Sequence, residues 1–131
     1  MVKKWIVMLL ISFILIAGCI VESNYVHSSF SWLINSLESL QIEITQTKDE
    51  IDKEDYVKYA YEIEEKWHKK VKVLKCLIWH SAIKDVEIGI ARIGVYIKEN
   101  DYTEASAEIG QLIDYLAHYL DDFSLSIENI F

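Results

Sequence analysis

The residues best suited to chemistry are a glutamate and a histidine three positions apart, Glu65 and His68. On a helix this Glu-x-x-His spacing places two ligands side by side, as in carboxylate-bridged di-metal sites. Such a site also needs a second Glu-x-x-His pair, and the best candidate has the wrong spacing, since Asp114 and His118 are four residues apart. Glu65 is also about 200° around the helix from Ile63 and faces away from the apolar side. We therefore predict neither a metal site nor another cofactor.

A second polar group, His80 with Asp85 and Glu87, follows a predicted helix junction. His80 is either a pH-sensitive or ligand-contacting group or a histidine bonded to backbone at the junction. His27 and His118 have no partner for a Ser–His–Asp or Cys–His site. A glycine-rich phosphate loop is also missing. We therefore predict no catalytic residues and expect that the protein is not an enzyme.

Overall charge limits the partners. The 131 residues include 21 acidic and 13 basic side chains, for a net charge of −8. Nucleic-acid phosphates require a basic surface, so a nucleic-acid partner is excluded. One domain is expected at this length.

Cys19 lies at the end of an apolar N-terminal segment that follows Lys3 and Lys4. Residues 16–19, Ile-Ala-Gly-Cys, resemble a bacterial lipobox, in which Cys19 would carry the lipid after cleavage. The alternative is an uncleaved anchor, because residues 5–21 span about 26 Å as helix, the lower limit for a bilayer core of about 30 Å. Both alternatives make residues 1–21 a signal peptide or membrane anchor and place residues 22–131 outside the cytoplasm, since the lysines stay inside.

Residues 22–131 are predicted to form an all-α, antiparallel bundle of about four helices after the N-terminal helix. Four apolar stripes with spacings of three and four residues support this prediction. They consist of Phe30, Leu33, Leu37, Leu40 and Ile44; Tyr56, Ala60, Ile63, Trp67, Val71, Leu74 and Ile78; Trp79, Ile83, Val86, Ile90, Ile93 and Ile97; and Tyr102, Ala105, Ile109, Leu112, Leu116 and Tyr119.

The helix boundaries follow from breaks in these stripes. The first bundle helix is expected to begin after residue 29, and the charged residues 48–55 are expected to form the next turn, with part of them opening the second helix. A one-residue offset between the second and third stripes indicates either a break near residues 76–81 or one long helix that turns its buried face there, and we favour the break because the single helix would be unusually long. Residues 101–104 form an acidic capping box at the start of the last helix, which is expected to end at residues 121–124.

Five lysines concentrate positive charge in the second helix. They are Lys66, Lys69, Lys70, Lys72 and Lys75. They either bind an anionic surface such as lipid headgroups or wall polymer, or form a solvated face with i,i+4 pairs such as Glu65–Lys69.

Four small residues in the predicted helices indicate close packing. Cys76, next to Leu77, is expected to be a buried structural thiol. Gly89, Gly94 and Gly110 each destabilise a helix interior, so we expect a neighbouring helix or a large ring such as Trp67 to approach them closely.

Several short motifs follow one another along the chain. They are Tyr25 to Ser29 (Tyr-Val-His-Ser-Ser), Glu64 to Trp67 (Glu-Glu-Lys-Trp), the acidic and aliphatic residues from His80 to Ile90, Ala91-Arg92-Ile93, Asp101-Tyr102, and Ser126 to Phe131 (Ser-Ile-Glu-Asn-Ile-Phe). In this order they resemble a family of short, membrane-tethered helical proteins of Firmicutes grouped as domain of unknown function 4363. The resemblance implies motif positions of unknown role at Trp67, His80, Arg92 and Asn129, and it supplies no activity. Such proteins often carry Glu just after the histidine, where this chain has Ser81 and Ala82.

Together these features predict an extracytoplasmic, membrane-tethered bundle that acts by binding. The leading hypothesis is docking of a protein, membrane or cell-wall component. The alternative is a ligand-sensing domain coupled to the membrane segment. The apolar tail from Leu125 to Phe131 either packs on the bundle or stays exposed for docking.

Overall fold

The computed structural model describes residues 1–46 and 53–128 and confirms the all-α prediction. In these residues the chain forms no strand and has α1 (Val2–Gln46), α2 (Lys53–Leu77), α3 (His80–Lys98) and α4 (Tyr102–Glu128). Each helix packs on the next one, and α4 also packs on α1. The helices therefore form an up-down-up-down bundle in which α1 is diagonal to α3 and α2 is diagonal to α4.

Helix α1 is a single 45-residue helix that belongs to the bundle along only part of its length. Its apolar residues up to Val21 are exposed, whereas Val26 and the stripe that follows are buried. The prediction that the first bundle helix begins after residue 29 is therefore wrong. The sequence offers no proline, and no glycine after Gly18, to interrupt the helix before the bundle. Ser29 is small enough to be buried inside it.

The four apolar stripes form the core, as predicted, with one exception described below. Aromatic rings connect three of the helices in one layer. The Phe30 ring centroid is 5.8 Å from that of Trp67 and 5.1 Å from that of Tyr119. Towards the other end, Tyr56 and Tyr102 meet edge to face at 5.7 Å. Such pairs stabilise a core beyond the area they bury.

Polar contacts help to fix the register of the helices against α1. The Tyr56 hydroxyl donates a hydrogen bond to the Glu43 carbonyl oxygen at 3.2 Å. The Gln41 side-chain amide donates to the Ser106 carbonyl oxygen on α4 at 3.0 Å. The predicted turn at residues 48–55 lies largely outside the described residues, and α2 begins at Lys53.

The predicted break between the second and third helices is confirmed. Helix α2 ends at Leu77, and Trp79 adopts an extended conformation (φ −62°, ψ 133°) before α3 begins at His80. Trp79 was predicted to open the third stripe, and this is wrong because its side chain is 81% exposed. The rest of that stripe, from Ile83 to Ile97, is buried.

The α3–α4 connection combines a helix stop with a helix start. Asn100 has a positive φ of 59°, its N–H bonds to the Ile97 carbonyl oxygen, and the Asp101 N–H bonds to the Tyr96 carbonyl oxygen. This is a Schellman motif, and asparagine tolerates its left-handed position. As predicted, Asp101 also caps α4, because its Oδ1 accepts the Glu104 N–H at 3.2 Å.

Helix α4 continues beyond the predicted end at residues 121–124 as far as Glu128, the last described residue. Phe123 is half-buried and packs against the core, so this part of the helix still packs on the bundle. Leu125 is exposed. Residues 129–131, including Ile130 and Phe131, lie outside the described residues.

The three bundle glycines have different surroundings. A Cβ atom on Gly89 would lie 3.2 Å from both Leu112 methyl carbons, so α4 approaches closely there, as predicted. A Cβ on Gly110 would meet only the Gln41 amide at 3.7 Å, and one on Gly94 would meet nothing within 4 Å. The prediction of a close approach is therefore confirmed at Gly89, where it comes from a neighbouring helix and not from Trp67, and it is wrong at Gly94.

This contrast predicts opposite outcomes for two alanine substitutions on α3. Gly94→Ala should raise the unfolding free energy by about 0.5–1 kcal/mol, because alanine favours the helix and the added methyl has room. Gly89→Ala gains the same helix propensity, but its methyl group crowds Leu112, so the variant should be stabilised less than Gly94→Ala or be destabilised. Urea denaturation of both variants measures the difference. Equal stabilisation would show that α3 and α4 are not tightly packed at Gly89.

Candidate functional site

A groove between α2 and α3 is the best candidate for a binding site. It has a volume of about 540 Å³ and lies near the start of α2 and the end of α3. Its lining residues are Lys53, Glu54, Val57, Lys58, Ala60, Tyr61, Glu64, Ile90, Gly94 and Lys98. Small residues create the space, because Ala60 and Gly94 stand where larger side chains would fill it. The apolar floor and charged rim suit an apolar group carried on a polar partner.

A second cleft, of about 360 Å³, lies between α3 and α4 and contains Arg92. The Arg92 guanidinium is 3.7 Å from the Glu108 carboxylate on α4. Two turns nearer the start of α3, Asp85 acts on the Tyr115 phenol of α4 through its charge and through hydrogen bonding, and both add to burial in raising the pKa of Tyr115. Both pairs join α3 to α4, so Arg92 has a structural role in this contact.

The Tyr115 phenol has a raised pKa. Burial is the largest cause, and the charge of Asp85 and its hydrogen bond, which holds the phenol proton, add to it. The pKa of Tyr119 is also raised, first by burial and then by the neighbouring Tyr115.

We expect Asp85→Asn to lower the pKa of Tyr115 towards 10.0 without reaching it, because burial remains. In the native chain the folded pKa exceeds the unfolded one. The stabilisation that protonated Tyr115 gives the folded state is therefore complete below about pH 10, and it disappears as the pH rises through the folded-state pKa of Tyr115. An NMR titration of the Tyr115 ring carbons measures this change. Tyr119 is the internal control, since burial should keep its pKa raised in the variant. An unchanged Tyr115 pKa would contradict the contact with Asp85.

The structure separates the polar group predicted around His80. His80 is exposed at the start of α3, and its ring has no hydrogen-bond partner among the described residues. Asp85 faces α4 and contacts Tyr115. Glu87 faces α2, where its carboxylate is 3.8 Å from His68 Nδ1. These three residues therefore do not form a common site.

Glu65 and His68 are also directed to different partners. Glu65 is exposed, as predicted, and its carboxylate is 3.5 Å from the Lys69 ammonium in the expected i,i+4 pair. His68 instead pairs with Glu87 on α3. Within residues 1–46 and 53–128, no group of three or more His, Cys, Asp or Glu side chains is arranged to hold a metal ion.

Trp67, a motif position of unknown role, is a core residue. Its ring is fully buried and packs on Phe30 from α1. Its indole Nε1 is buried without a hydrogen-bond partner in the described part of the chain. Trp67 therefore stabilises the bundle and cannot contact a ligand at the surface.

The two cysteines are both exposed. Cys19 lies on the part of α1 that protrudes from the bundle. Cys76 was predicted to be buried, and this is wrong. It lies about 200° around α2 from the buried Leu74, on the solvent side of the helix.

Five lysines lie on the second half of α2 and are spread over about 220° of its circumference. Four of the five are exposed, and Lys70 is half-buried with its ammonium 5.2 Å from the centre of the Trp32 ring. We call Lys66, Lys69, Lys70, Lys72 and Lys75 the lysine face.

Comparison with known proteins follows this geometry. The family described as Domain of unknown function (DUF4363) matches residues 27–130. The chain belongs to this family. The match covers nearly the whole bundle and includes the positions of Trp67, His80 and Arg92. It also includes Asn129, which lies outside the described residues.

No curated protein and no solved structure matches the chain. Family membership therefore confirms the resemblance found in the sequence and brings no activity with it.

The α2–α3 groove was not predicted from the sequence. The sequence features that could have indicated the groove are weak. They are one small residue in each of two facing helices, Ala60 and Gly94, beside an exposed Tyr61. The sequence pattern placed both small residues in apolar helices but could not show that they face each other.

Proposed function

We propose that this chain is a membrane-tethered docking module, in which α1 holds the bundle at a membrane and the bundle binds a protein, membrane or cell-envelope component. The observation that carries this proposal is α1 itself. Its apolar N-terminal part is entirely unburied, and by length and composition it can cross a membrane or serve as a signal sequence. Its remaining part supplies core residues of the bundle. A bilayer would cover the apolar part, which far exceeds the apolar patches usual on soluble proteins.

The orientation follows from charge. Lys3 and Lys4 precede the apolar segment, and positive residues stay on the cytoplasmic side. The bundle would then lie at the outer face. Cys19, exposed at the end of the segment, is available for lipid attachment if the signal is cleaved.

Binding, and not catalysis, is the activity that the site supports. The α2–α3 groove has an apolar floor and a charged rim, and the exposed Tyr61 stands at its edge. The polar residues whose side chains could take part in a reaction, such as Asp85 and Glu87, contact other helices instead of converging in this groove. We infer that the groove accepts an apolar side chain of a protein partner.

A ligand-sensing domain is the second candidate. The continuity of α1 favours it, because a change in bundle packing would be passed directly into the apolar segment. The same groove would then hold a small ligand. A small ligand in the groove should raise the melting temperature of the native chain, and Gly94→Phe, which fills the groove, should abolish this rise. A bundle that binds only a protein partner would show no rise with a small ligand.

The tether is tested by the intact mass of the membrane-extracted protein beside a Cys19→Ala variant. A mass without residues 1–18 and with a diacylglycerol establishes a lipoprotein, and transmission of a signal across the bilayer is then excluded. A full-length mass that changes only by the substitution establishes an uncleaved anchor. A native chain found free of the membrane would overturn the proposal.

Docking in the groove is tested with a photo-crosslinking amino acid at Tyr61. Its matched control is the same amino acid at Ile42, which is exposed on α1, away from the groove. We expect one discrete crosslinked product from position 61 and its loss in the Gly94→Phe variant. Equal crosslinking at both positions would contradict a partner in the groove.

A further inference from the structure

Among the residues of the bundle that the structure describes, the most exposed aromatic residue is Trp79, in the α2–α3 connection. Packing does not explain it, because its side chain is 81% exposed and lies outside the core formed by its neighbours Ile78 and Ile83. Tryptophan in such a position is typical of a membrane–water interface, where its apolar ring and polar N–H meet different surroundings.

The register of α2 against α1 places Trp79 at the height where the apolar segment ends. Trp67 is level with Phe30, and Tyr56 is level with Glu43, so the two helices run antiparallel with a constant register. From Trp67, α2 continues for about 15 Å at about 1.5 Å per residue. Its end, and Trp79 after it, are therefore level with about Cys19 to Ile20 on α1.

Two members of the lysine face lie at the same end. Lys75 is level with about residue 22 and Lys72 with about residue 25, which places them about 2 Å and about 6 Å beyond Val21, where the apolar segment ends. This is within the Debye length of about 8–10 Å at physiological ionic strength. Lys66, about 15 Å away, is beyond it.

Charge is divided between the two diagonal helices. From Lys66 to Leu77, α2 has lysines and no acidic residue, whereas α4 has acidic residues and neither Lys nor Arg. Asp121, Asp122 and Glu128 approach the same end from the opposite side. An anionic surface would therefore attract the α2 side and repel the α4 side, which defines one orientation of the bundle.

We propose that this end of the bundle is a lipid-contact surface: Trp79 enters the headgroup layer, and Lys72 and Lys75 bind the headgroups of anionic phospholipids. The inference rests on the proposed membrane tether but not on its form. Both an uncleaved anchor and a lipid on Cys19 put the bilayer surface at the height of Trp79.

The experiment uses the full chain with Cys19→Ala in lipid nanodiscs, with an environment-sensitive fluorophore on Cys76. Cys76 is exposed and only three residues before Trp79, so it reports on this end without entering the core. Headgroup spin-labelled lipid serves as quencher, in discs of phosphatidylcholine alone or in an equimolar mixture with phosphatidylglycerol. A second probe at Lys98→Cys, with Cys76→Ala, reports on the opposite end.

We expect stronger quenching at Cys76 in phosphatidylglycerol discs and none at position 98. Lys72→Gln and Lys75→Gln should each lower the ratio of docked to undocked bundle about fivefold, and Trp79→Ala should lower it as well. Lys53→Gln and Lys58→Gln, matched substitutions at the far end of α2, should leave it unchanged.

Three results would overturn the proposal. The first is no quenching at Cys76 in discs that retain the protein, and the second is quenching that is equal in both lipids and unaffected by the lysine substitutions. The third is fluorescence that changes with the number of chains per disc, which would show that a second copy covers this end. Loss of the protein from the discs on flotation is a separate result, and it would overturn the tether.

Discussion

Replacing Trp67 with alanine is expected to lower the unfolding free energy by about 3–5 kcal/mol, because it deletes the largest fully buried side chain and leaves a cavity beside Phe30. This is a large part of the 5–15 kcal/mol typical of a domain. Urea denaturation of the full chain in nanodiscs, followed by circular dichroism, measures it.

Trp79→Ala is the matched control. It removes the same side chain from an exposed position, so its effect should stay within about 0.5 kcal/mol. Trp67→Phe should cost less than Trp67→Ala, because it keeps a ring and removes the buried Nε1–H that lacks a partner in the described residues. Similar losses for the two Trp→Ala variants would contradict the core position of Trp67.

A Leu10→Lys/Phe13→Lys variant is expected to lose its membrane association. Both side chains lie on the unburied apolar part of α1, so the substitutions should not disturb the bundle. Each replacement of an apolar residue by lysine in the middle of a spanning helix costs about 3–4 kcal/mol of insertion free energy. Carbonate extraction followed by flotation measures the membrane-bound fraction.

The matched control is Ile42→Lys/Val95→Lys, which makes the same kind of change at two exposed apolar residues of the bundle. This control should remain in the membrane fraction, with an unchanged melting temperature. If the Leu10→Lys/Phe13→Lys protein floats with the membranes as the native chain does, the apolar segment is not the tether.

Much of the bundle could be predicted because each helix has only one buried face. The 3.6-residue period then marks the core residues from Phe30 to Leu116 directly in the sequence. The two side chains that were placed wrongly adjoin the break. Trp79 continues the spacing of its stripe, but its backbone has left the helix, so the period no longer determines where it points. Cys76 has apolar neighbours in sequence, although residues two apart on a helix face nearly opposite directions.

The boundaries were harder because local composition can have two meanings. The uninterrupted apolar run hides the start of any amphipathic period, so α1 gave no sign that it enters the bundle as the same helix. Asp121 and Asp122 suggested an end to α4, yet acidic residues are compatible with a solvent-facing helix surface when Tyr119 and Phe123 continue the packed side. The α2–α3 groove depends on which residues face each other across two helices, and a single sequence does not contain that information.

If the apolar segment stays uncleaved, the unbroken α1 joins the bundle and its proposed anchor in one rigid helix. In that case no break in α1 separates the bilayer from the core, and the bundle cannot reorient on a flexible linker to search for partners. The part of α1 beyond residue 21 is only about 37 Å long, and the α2–α3 groove lies near the end of the bundle that is farther from the apolar segment. Any rotation of α1 about its own axis turns the groove by the same angle. Each residue inserted between Val21 and the bundle should turn the groove by about 100° relative to the anchor. A partner that is itself fixed in the membrane would lose contact after one insertion, whereas a freely diffusing partner would still bind.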